Sequence, residues 1–456
     1  MVSFIDPLNA VTLFVSLVVL LHPDYVVSAT LGEIGRPEIL MAALLLVWWL
    51  GVLVNGVQRL DPGPIRWLVL SYWLVWNTSV AFAMTRGLTG GESAGAERFF
   101  IKTIGLCGVA LLVAELIPSR EALDRLLRRM VMIGAVMGLV GVAQFYVGWD
   151  PVARIPIPLP TNGESEFVLG TRGSADLTRA PSTTAHSIEF GVLSALFAPL
   201  GVHYALTATT VVQQRRWWLL TALCSAGIVL SVSRSGTVAA GIVIFALLRC
   251  WRPERQRQAL VRGFFALILL RLSTPGLLGT ILSFFQNAGT DNSVTGRTED
   301  YDDIFRLVQE RPLFGLGGGT FRPEVYFILD NYFLNALVST GFVGLIAFLA
   351  LVFVPYSMAI RVGRTSAYAA NRHLGFALGA SLLAGFGSSF LFDSLNFPGF
   401  SGIFYVLVGA VGVLWRFRDV DPGPTPVDAI IREPKDLVPW MRRVVDRAHN
   451  APVRAE

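Results

Sequence analysis

Four arginines occupy positions that suit the recognition of a phosphate group. Arg234 lies between two runs that are apolar enough to enter a membrane, while Arg172, Arg179 and Arg297 lie in two long polar segments. A guanidinium keeps its charge and holds phosphate oxygens in a two-point fork. Because a charge at mid-membrane costs about 2.5–3.5 kcal/mol, an intramembrane arginine is a candidate functional group. We predict that these arginines bind a diphosphate; the alternative for Arg234 is an anchor at a helix end.

Acid–base groups stand at the start of two other apolar runs. His186 and Glu189 are three residues apart and share one face of a predicted helix. They could form a proton relay or contact a sugar, or they could be an interfacial histidine and its hydrogen-bonded partner. Asp330 precedes the later run, with Asn331 beside it as a further substrate contact. Asp330 could accept a proton from a sugar hydroxyl, or it could cap the helix that follows.

The sequence offers little to a metal ion or a cofactor. Asp300 and Asp302 have the spacing of a metal-binding pair, but on a helix they would mostly face solvent. No cluster of histidines and cysteines accompanies them, and Cys107, Cys224 and Cys250 all lie in or beside apolar runs. We therefore predict no metal, no cofactor and no disulfide framework.

The composition places these residues in a membrane protein. Hydrophobic residues make up 53% of the 456-residue chain and charged residues only 15%, with a mean hydropathy of +0.58. Soluble domains carry about 25% charged residues. This excludes a soluble enzyme, a nucleic-acid-binding protein and a secreted disulfide scaffold. The net charge of +5 is better explained by arginines at the cytoplasmic ends of helices than by nucleic acid as a partner.

Twelve apolar runs approach the length of about 20 residues that a helix needs to span a bilayer. They predict an all-α polytopic protein with about twelve transmembrane helices and a transmembrane domain over residues 1–415. The runs are 7–27, 37–56, 64–84, 98–117, 129–148, 187–209, 216–233, 236–250, 260–284, 332–358, 373–392 and 399–415.

Arginines predict the orientation, because short cytoplasmic loops are rich in them. With twelve spans, the arginine-rich loops all fall on one side, and both termini are then cytoplasmic. Two long loops, about 149–186 and 285–331, face the other side and are predicted to carry function. The second should contain a short helix that begins near Thr298 and is stopped by Pro312, followed by a flexible turn over residues 315–319.

The cytoplasmic tail, residues 416–456, is polar and proline-rich at first. Leu437, Trp440, Met441 and Val444 then recur at helical spacing, with basic residues mostly off that stripe. This predicts an amphipathic helix over 436–449 on the anionic inner leaflet, with a frayed tail as the alternative.

Three segments in register resemble the O-antigen ligase and O-antigen polymerase family. They span a shared core of about residues 186–354, and the stretch 179–191 resembles an upstream arginine motif of the same family. The segments are LSVSRSG at 230–236, GRT at 296–298 leading to RPLFGLG at 311–317, and DNYFLN at 330–335 followed by GFVGL at 341–345.

The resemblance implies a GT-C-like membrane glycosyltransferase in the bacterial cytoplasmic (inner) membrane. Such an enzyme takes a glycan from undecaprenyl diphosphate on the outer face, inverts the anomeric carbon and uses no metal. The acceptor is another glycan or a lipid, and other polysaccharide-assembly proteins are candidate partners. Arg179, Arg234 and Arg297 would contact the diphosphate or its sugar. Ligases typically carry histidine at the position of Asp330, so the aspartate favours a polymerase.

Two alternatives stay open at this point. A ligase that attaches a finished glycan would share the same motifs. A transporter or flippase would share the number of spans, although such proteins often have internal repeats, and none is clear between the two halves of this sequence.

Overall fold

The fold was analysed in a computed structural model, which describes residues 6–56, 63–155, 157–161, 170–172, 177–286, 301–323, 325–423 and 425–431. Within these ranges the chain is almost entirely helical. The helices are α1 (Pro7–Leu20), α2 (Pro37–Asn55), α3 (Pro64–Met84), α4 (Gly90–Leu116), α5 (Arg120–Val147), α6 (Pro151–Arg154), α7 (Ser187–Thr207), α8 (Val211–Leu230), α9 (Arg234–Cys250), α10 (Pro253–Ser273), α11 (Leu277–Gln286), α12 (Tyr301–Glu310), α13 (Tyr332–Thr365), α14 (Ala369–Ser388) and α15 (Pro398–Arg416). Short 3-10 helices cover Ala29–Gly35, Ser394–Asn396 and Pro426–Ala429.

Each of the twelve predicted runs overlaps at least one helix, which confirms an all-α membrane protein. Among the described residues, seven helices are long and apolar enough to span a bilayer, or eight if a bent pair counts as one span. The number twelve therefore stays a prediction. The run 260–284 is not one helix, because α10 and α11 meet at an angle of 110° around Pro275 and Gly276. Proline and glycine at this point end α10 and turn the chain.

Two spans form the centre of the bundle. The most apolar window of α15 is 89% buried and that of α7 is 83% buried, whereas that of α2 is 28% buried. Glycines let helices approach closely here, as is common in membranes. A Cβ atom on Gly236 of α9 would lie 3.1 Å from the Cα of Gly191 in α7. This contact brings the first turns of α7 and α9 together at one end of the bundle.

The predicted arginine-rich loops do meet at one end of the bundle. Arg66 at the start of α3 pairs with Glu115 at the end of α4, and Arg416 at the end of α15 donates to the carbonyl of Ile117. Residues 425–431 pack on this end as well, with Ile431 fully buried. We call this the arginine-rich end and the opposite one the site end.

The second long segment contains the predicted short helix, which is α12, and the predicted glycine turn. The turn itself is present, but it is not a free loop. Gly317 donates its N–H to the carbonyl of Ser339 at 2.8 Å, and residues 315–318 are buried. Gly341 has a φ of 65° and interrupts α13 where the turn packs against it. The turn is therefore part of the packed bundle.

A two-stranded hairpin in the first long segment was not predicted. Strand β1 (Gly170–Arg172) pairs with β2 (Leu177–Arg179) in antiparallel register, with Gly170 opposite Arg179. The predicted helix over 436–449 lies outside the described residues, so the division of the chain at residue 416 stays a prediction.

A buried ion pair closes the arginine-rich end. Arg66 meets Glu115 in two parallel contacts, Nε to Oε1 at 2.6 Å and Nη2 to Oε2 at 2.7 Å. Trp49 Nε1 also donates to Glu115 Oε2 at 2.9 Å. The two charged side chains are 12% and 3% exposed, so the pair is shielded from water. Breaking a buried pair from one side is far more damaging than replacing both partners.

We expect Glu115→Ala to lower the free energy of unfolding by about 3–5 kcal/mol, because Arg66 would keep an uncompensated buried charge. The double variant Arg66→Met with Glu115→Leu should recover most of this loss. Thermal unfolding of purified protein in detergent measures both. Asp303→Ala is the matched control, since Asp303 pairs with Arg306 where both are mostly exposed and such pairs contribute about 0–1 kcal/mol. Equal losses in the single and double variants would contradict the assignment.

Candidate functional site

The loop 389–397 connects the helix ends that carry the predicted site residues. The backbone N–H of Tyr332, the first residue of α13, donates to the carbonyl of Ser389 at 3.0 Å. Ser235 Oγ, in the first turn of α9, donates to the carbonyl of Leu391 at 3.5 Å. The loop therefore lies between the start of α13, next to Asp330, and the start of α9, at Arg234.

The same loop reaches α4 and α7. Lys102 of α4 donates its ammonium to the carbonyls of Leu395 at 2.8 Å and Asn396 at 3.2 Å. The ring of Phe397 lies 6.4 Å from the ring of His186, which precedes α7. Three helix ends and the middle of α4 thus meet nine loop residues at the site end, although these helices are far apart in the sequence.

Arg179 and Arg234 flank a single turn. Arg234 is the first residue of α9, and Arg179 ends β2. Arg179 Nε donates to the carbonyl of Ser231 at 3.4 Å, and the next residue, Ala180, donates its N–H to the carbonyl of Leu230 at 3.3 Å. The structure therefore places Arg179 at the turn that precedes Arg234, although the two residues are 55 positions apart in the sequence. The diphosphate site itself stays a prediction.

Backbone strain is concentrated at this turn. Within the described ranges, Val232 (φ 45°) and Ser182 (φ 57°) are the two non-glycine residues with positive φ. Such conformations cost about 1–3 kcal/mol each and persist where surrounding contacts fix them. Val232 is fully buried and packs with Leu277 of α11. Ser182 donates its N–H to Gln144 Oε1 and its hydroxyl to the carbonyl of Met137, and its own carbonyl accepts from Gln144 Nε2. The segments that carry both arginines are thereby held in one geometry.

Two serine hydroxyls in the turn lack a protein partner. Ser231 Oγ and Ser233 Oγ are buried and make no hydrogen bond to any residue that the structure describes. A buried hydroxyl without a partner costs about 1–3 kcal/mol. Ser233 directly precedes Arg234, and the carbonyl of Ser231 accepts from Arg179, so both serines belong to the turn between the arginines.

His186 and Glu189 both have roles in the helix ends. His186 is the N-cap of α7, where its Nδ1 accepts from the N–H of Ile188 at 3.1 Å. Glu189 is 1% exposed and accepts from the N–H of Phe400 at 2.9 Å and of Ala185 at 3.2 Å. Its carboxylate therefore joins α7 to the start of α15. These contacts give both residues a structural role, and substrate binding by either of them stays a prediction.

Asp330 does not cap α13. The N-cap is Asn331, whose Oδ1 accepts from the N–H of Phe333 at 3.0 Å and of Leu334 at 3.3 Å. The capping alternative for Asp330 is therefore wrong, because the amide oxygen of Asn331 meets the free N–H groups at the start of the helix. Asn331 itself is occupied by this structural role.

Asp393 is a site residue that sequence reasoning missed. Its Oδ2 accepts from Asn335 Nδ2 at 3.1 Å and from Asn396 Nδ2 at 2.7 Å, while Oδ1 is buried without a partner among the described residues. Burial raises the pKa of Asp393 to about 7, and the nearby charge of Asp330 acts in the same direction. The sequence did contain a signal for this residue, because Asp393 is an acidic residue in a short loop between two apolar runs.

The remaining predictions fall on parts that the structure leaves out. Arg297, Thr298 and Asp300 lie outside the described residues, and of Arg172 only the backbone in β1 is described. Elsewhere in the described ranges, no group of three or more histidine, cysteine, aspartate or glutamate residues could hold a metal ion.

The family comparison covers the centre of this site. Residues 219–349 match the family model described as O-antigen ligase. The matched segment includes Arg234, Arg297 and Asp330, whereas Arg179 and Asp393 lie outside it. No curated protein matches the chain. This match confirms the resemblance predicted from the sequence, for residues 219–349.

Proposed function

We propose that the protein is a polysaccharide polymerase that transfers a glycan from undecaprenyl diphosphate to a second lipid-linked glycan. The observation that carries the proposal is the placement of Arg179 and Arg234 at one turn, joined through the loop 389–397 to Asp330. An anion site and a carboxylate on neighbouring helix ends are what transfer from a diphosphate donor needs. The family match supports a membrane enzyme of this type.

The donor diphosphate is held at the turn 231–233. Arg179 and Arg234 neutralise its charge in two-point contacts, and the hydroxyls of Ser231 and Ser233 supply further donors. Arg297, which lies outside the described residues, joins them as predicted. The lipid tail runs between helices, and the sugar reaches His186. Because arginines stabilise the diphosphate as it leaves, the reaction needs no strong general acid and no metal at that side.

The acceptor is activated by Asp330. Its carboxylate takes the proton from an acceptor hydroxyl while that oxygen forms a bond to the anomeric carbon. The bond from the anomeric carbon to the diphosphate breaks at the same time, which inverts that carbon. Asp393 is a positioning residue that holds the loop through Asn335 and Asn396. His186 is the alternative base, acting through Nε2 because the helix N-terminus occupies its Nδ1.

The site end faces outward in this proposal. The arginine-rich end then lies in the cytoplasm of a bacterium, both termini are cytoplasmic, and the bilayer is the inner membrane. Convergence of the arginine-rich loops on one end supports this orientation. The acceptor glycan and other polysaccharide-assembly proteins are the partners that we expect.

A ligase is the second candidate, because the matching family model is described as O-antigen ligase. A ligase would pass the finished glycan to a lipid or protein acceptor. A transporter or flippase would translocate the lipid-linked glycan without making a glycosidic bond.

Reconstitution with purified lipid-linked repeat units separates the three functions. We expect a ladder of lipid-linked chains several repeats long, with release of undecaprenyl diphosphate, as measured by gel electrophoresis and mass spectrometry. A ligase would leave the repeats single until a separate acceptor is added. Movement of intact donor across the vesicle membrane without any new bond would refute an enzyme.

Arg234→Lys should reduce transfer on the order of 10–100-fold while the protein still inserts, because lysine keeps the charge but loses the planar fork. Turnover per folded protein is the measurement. Arg306→Lys is the matched control and should leave turnover unchanged, since Arg306 lies on α12 with its side chain 68% exposed. Wild-type turnover in the Arg234 variant would make this residue a helix-end anchor.

Asp330→Asn should slow transfer by about 10²–10⁴-fold, the usual contribution of a general base, and leave donor binding intact. It should not lower the melting temperature, since Asn331 and not Asp330 caps α13. Asn331→Ala should lower the stability by about 0.5–2 kcal/mol. Turnover with purified donor and thermal unfolding are measured on the same samples. Normal turnover in Asp330→Asn would transfer the base role to His186.

A further inference from the structure

A cavity of about 350 Å³ opens at the arginine-rich end, opposite the site end. Its walls come from the start of α5, the end of α7, the start of α8 and, from the later part of the chain, Ala370, Pro422 and Thr425. The volume is within the range of small-molecule sites, about 300–1,000 Å³. The proposed transfer reaction does not use this cavity, so its ligand has to be inferred from its own walls.

The charges in these walls are unevenly paired. The charged lining residues are three arginines and one acid, namely Arg120, Arg128, Arg216 and Asp124. Asp124 Oδ1 lies 2.8 Å from Arg120 Nη1 and accepts from the hydroxyl of Tyr204 at 2.9 Å, so the acid is already engaged. Arg128 and Arg216 form neither an ion pair nor a hydrogen bond with any residue that the structure describes. Two positive charges in the cavity therefore have no protein counter-ion among the described side chains.

Charged groups close to the cavity do not remove this excess. Glu121 and Asp421 are exposed and do not line it. On α5 and α8, three further arginines lie near the same end, namely Arg125, Arg129 and Arg215. The described charges around the cavity thus add to its positive potential, which favours an anionic ligand.

Two aromatic rings hold the side chain of Arg128. Its guanidinium carbon lies 5.0 Å from the ring centre of Tyr204 and 6.0 Å from that of Trp217. Contacts of this kind orient the guanidinium but leave its charge and its N–H groups available. An arginine that is already held in place loses little freedom when it binds phosphate oxygens in a two-point fork.

A buried histidine adds a hydrogen-bond donor to the wall. Trp251 Nε1 donates to His373 Nε2 at 3.1 Å, so the ring of His373 carries its proton on Nδ1. That atom lies 3.0 Å from Nδ1 of His203. His203 must accept there, so its own proton is on Nε2. Because His203 lines the cavity and its Nε2 is bonded to no described residue, this N–H is left to donate to a ligand.

The cavity lies at the level of lipid headgroups. Trp217 and Trp218 directly follow Arg216 in α8, and tryptophans are typical of the interface between headgroups and acyl chains. The next residue, Leu219, is 62% exposed on the outside of the bundle. A phospholipid with its phosphate in the cavity therefore finds an apolar helix surface for its acyl chains.

We propose that this cavity binds the phosphate of an anionic phospholipid, with Arg128 and Arg216 contacting its oxygens and His203 donating from Nε2. Phosphatidylglycerol and cardiolipin belong to this class. Asp124 is already engaged, so the cavity has no free carboxylate for the ammonium of a zwitterionic headgroup. Basic pockets between helices bind anionic headgroups on the cytoplasmic side of membranes, where the proposed orientation places this end.

The test uses the full chain in detergent, with dioleoylphosphatidylglycerol or dioleoylphosphatidylcholine added to the micelles. We expect phosphatidylglycerol to raise the melting temperature and phosphatidylcholine to change it little, because a ligand that binds only the folded protein stabilises it. Arg128→Gln and Arg216→Gln should each weaken the apparent affinity for phosphatidylglycerol about 5–10-fold, the effect of one basic contact at a membrane surface. Arg128→Lys should give an intermediate affinity, since lysine keeps the charge but loses the fork.

Arg125→Gln and Arg215→Gln are the matched controls. These arginines lie on the same two helices, are exposed and do not line the cavity, so both variants should keep the wild-type affinity. Arg128 and Arg216 are exposed as well, so none of the four variants should change the melting temperature much in the absence of lipid.

Equal losses of affinity in the control and cavity variants would overturn the proposal, because they would show a general attraction between a basic surface and anionic lipid. Equal stabilisation by phosphatidylcholine would overturn it too. The same Arg128-dependent stabilisation by inorganic phosphate alone would reject the lipid and make a soluble phosphate compound the ligand. None of these measurements needs transferase activity, so this proposal and the proposed function fail separately.

Discussion

The carboxylate of Glu189 fixes the arrangement on which the site end depends. It is almost fully buried and accepts hydrogen bonds from the N–H of Phe400 and of Ala185. The first N–H groups of a helix have no partner within it, and a carboxylate there also meets the positive end of the helix dipole. Glu189 thereby joins two of the most buried helices, α7 and α15. The loop 389–397 enters α15 directly, so its position follows from this contact.

Much of this fold could be predicted from the sequence. Each apolar run overlaps at least one helix, and Arg179 lies at the turn that precedes Arg234. The N-cap of α13, Asn331, was harder to predict, because Asp330 and Asn331 are both good caps and the sequence does not say which is used. Asp393 was missed for a different reason. Its neighbours Asn335 and Asp330 are about 60 positions away, and only tertiary packing brings them together.

The glycine turn at 315–319 illustrates the limit of reasoning from composition. Consecutive glycines usually indicate a loop with conformational freedom. Here the same residues accept close backbone contact with neighbouring helices, including α13, where Gly341 interrupts the helix. The glycines are needed here because a side chain would not fit between the packed segments. A single sequence cannot distinguish this use of glycine from its use in a flexible loop.

The helices α10 and α15 experience different kinds of constraint. None of the residues of α10 is buried, whereas every residue from 399 to 414 in α15 is. Lipid tails are about as apolar as leucine. A position that faces lipid therefore favours an apolar side chain but does not require a particular side-chain shape. The apolar half of α10 can therefore exchange one apolar side chain for another at little cost. In α15, side-chain volume is fixed by neighbours on all sides. The amino-acid sequence of α10 should therefore vary more among related proteins than the sequence of α15.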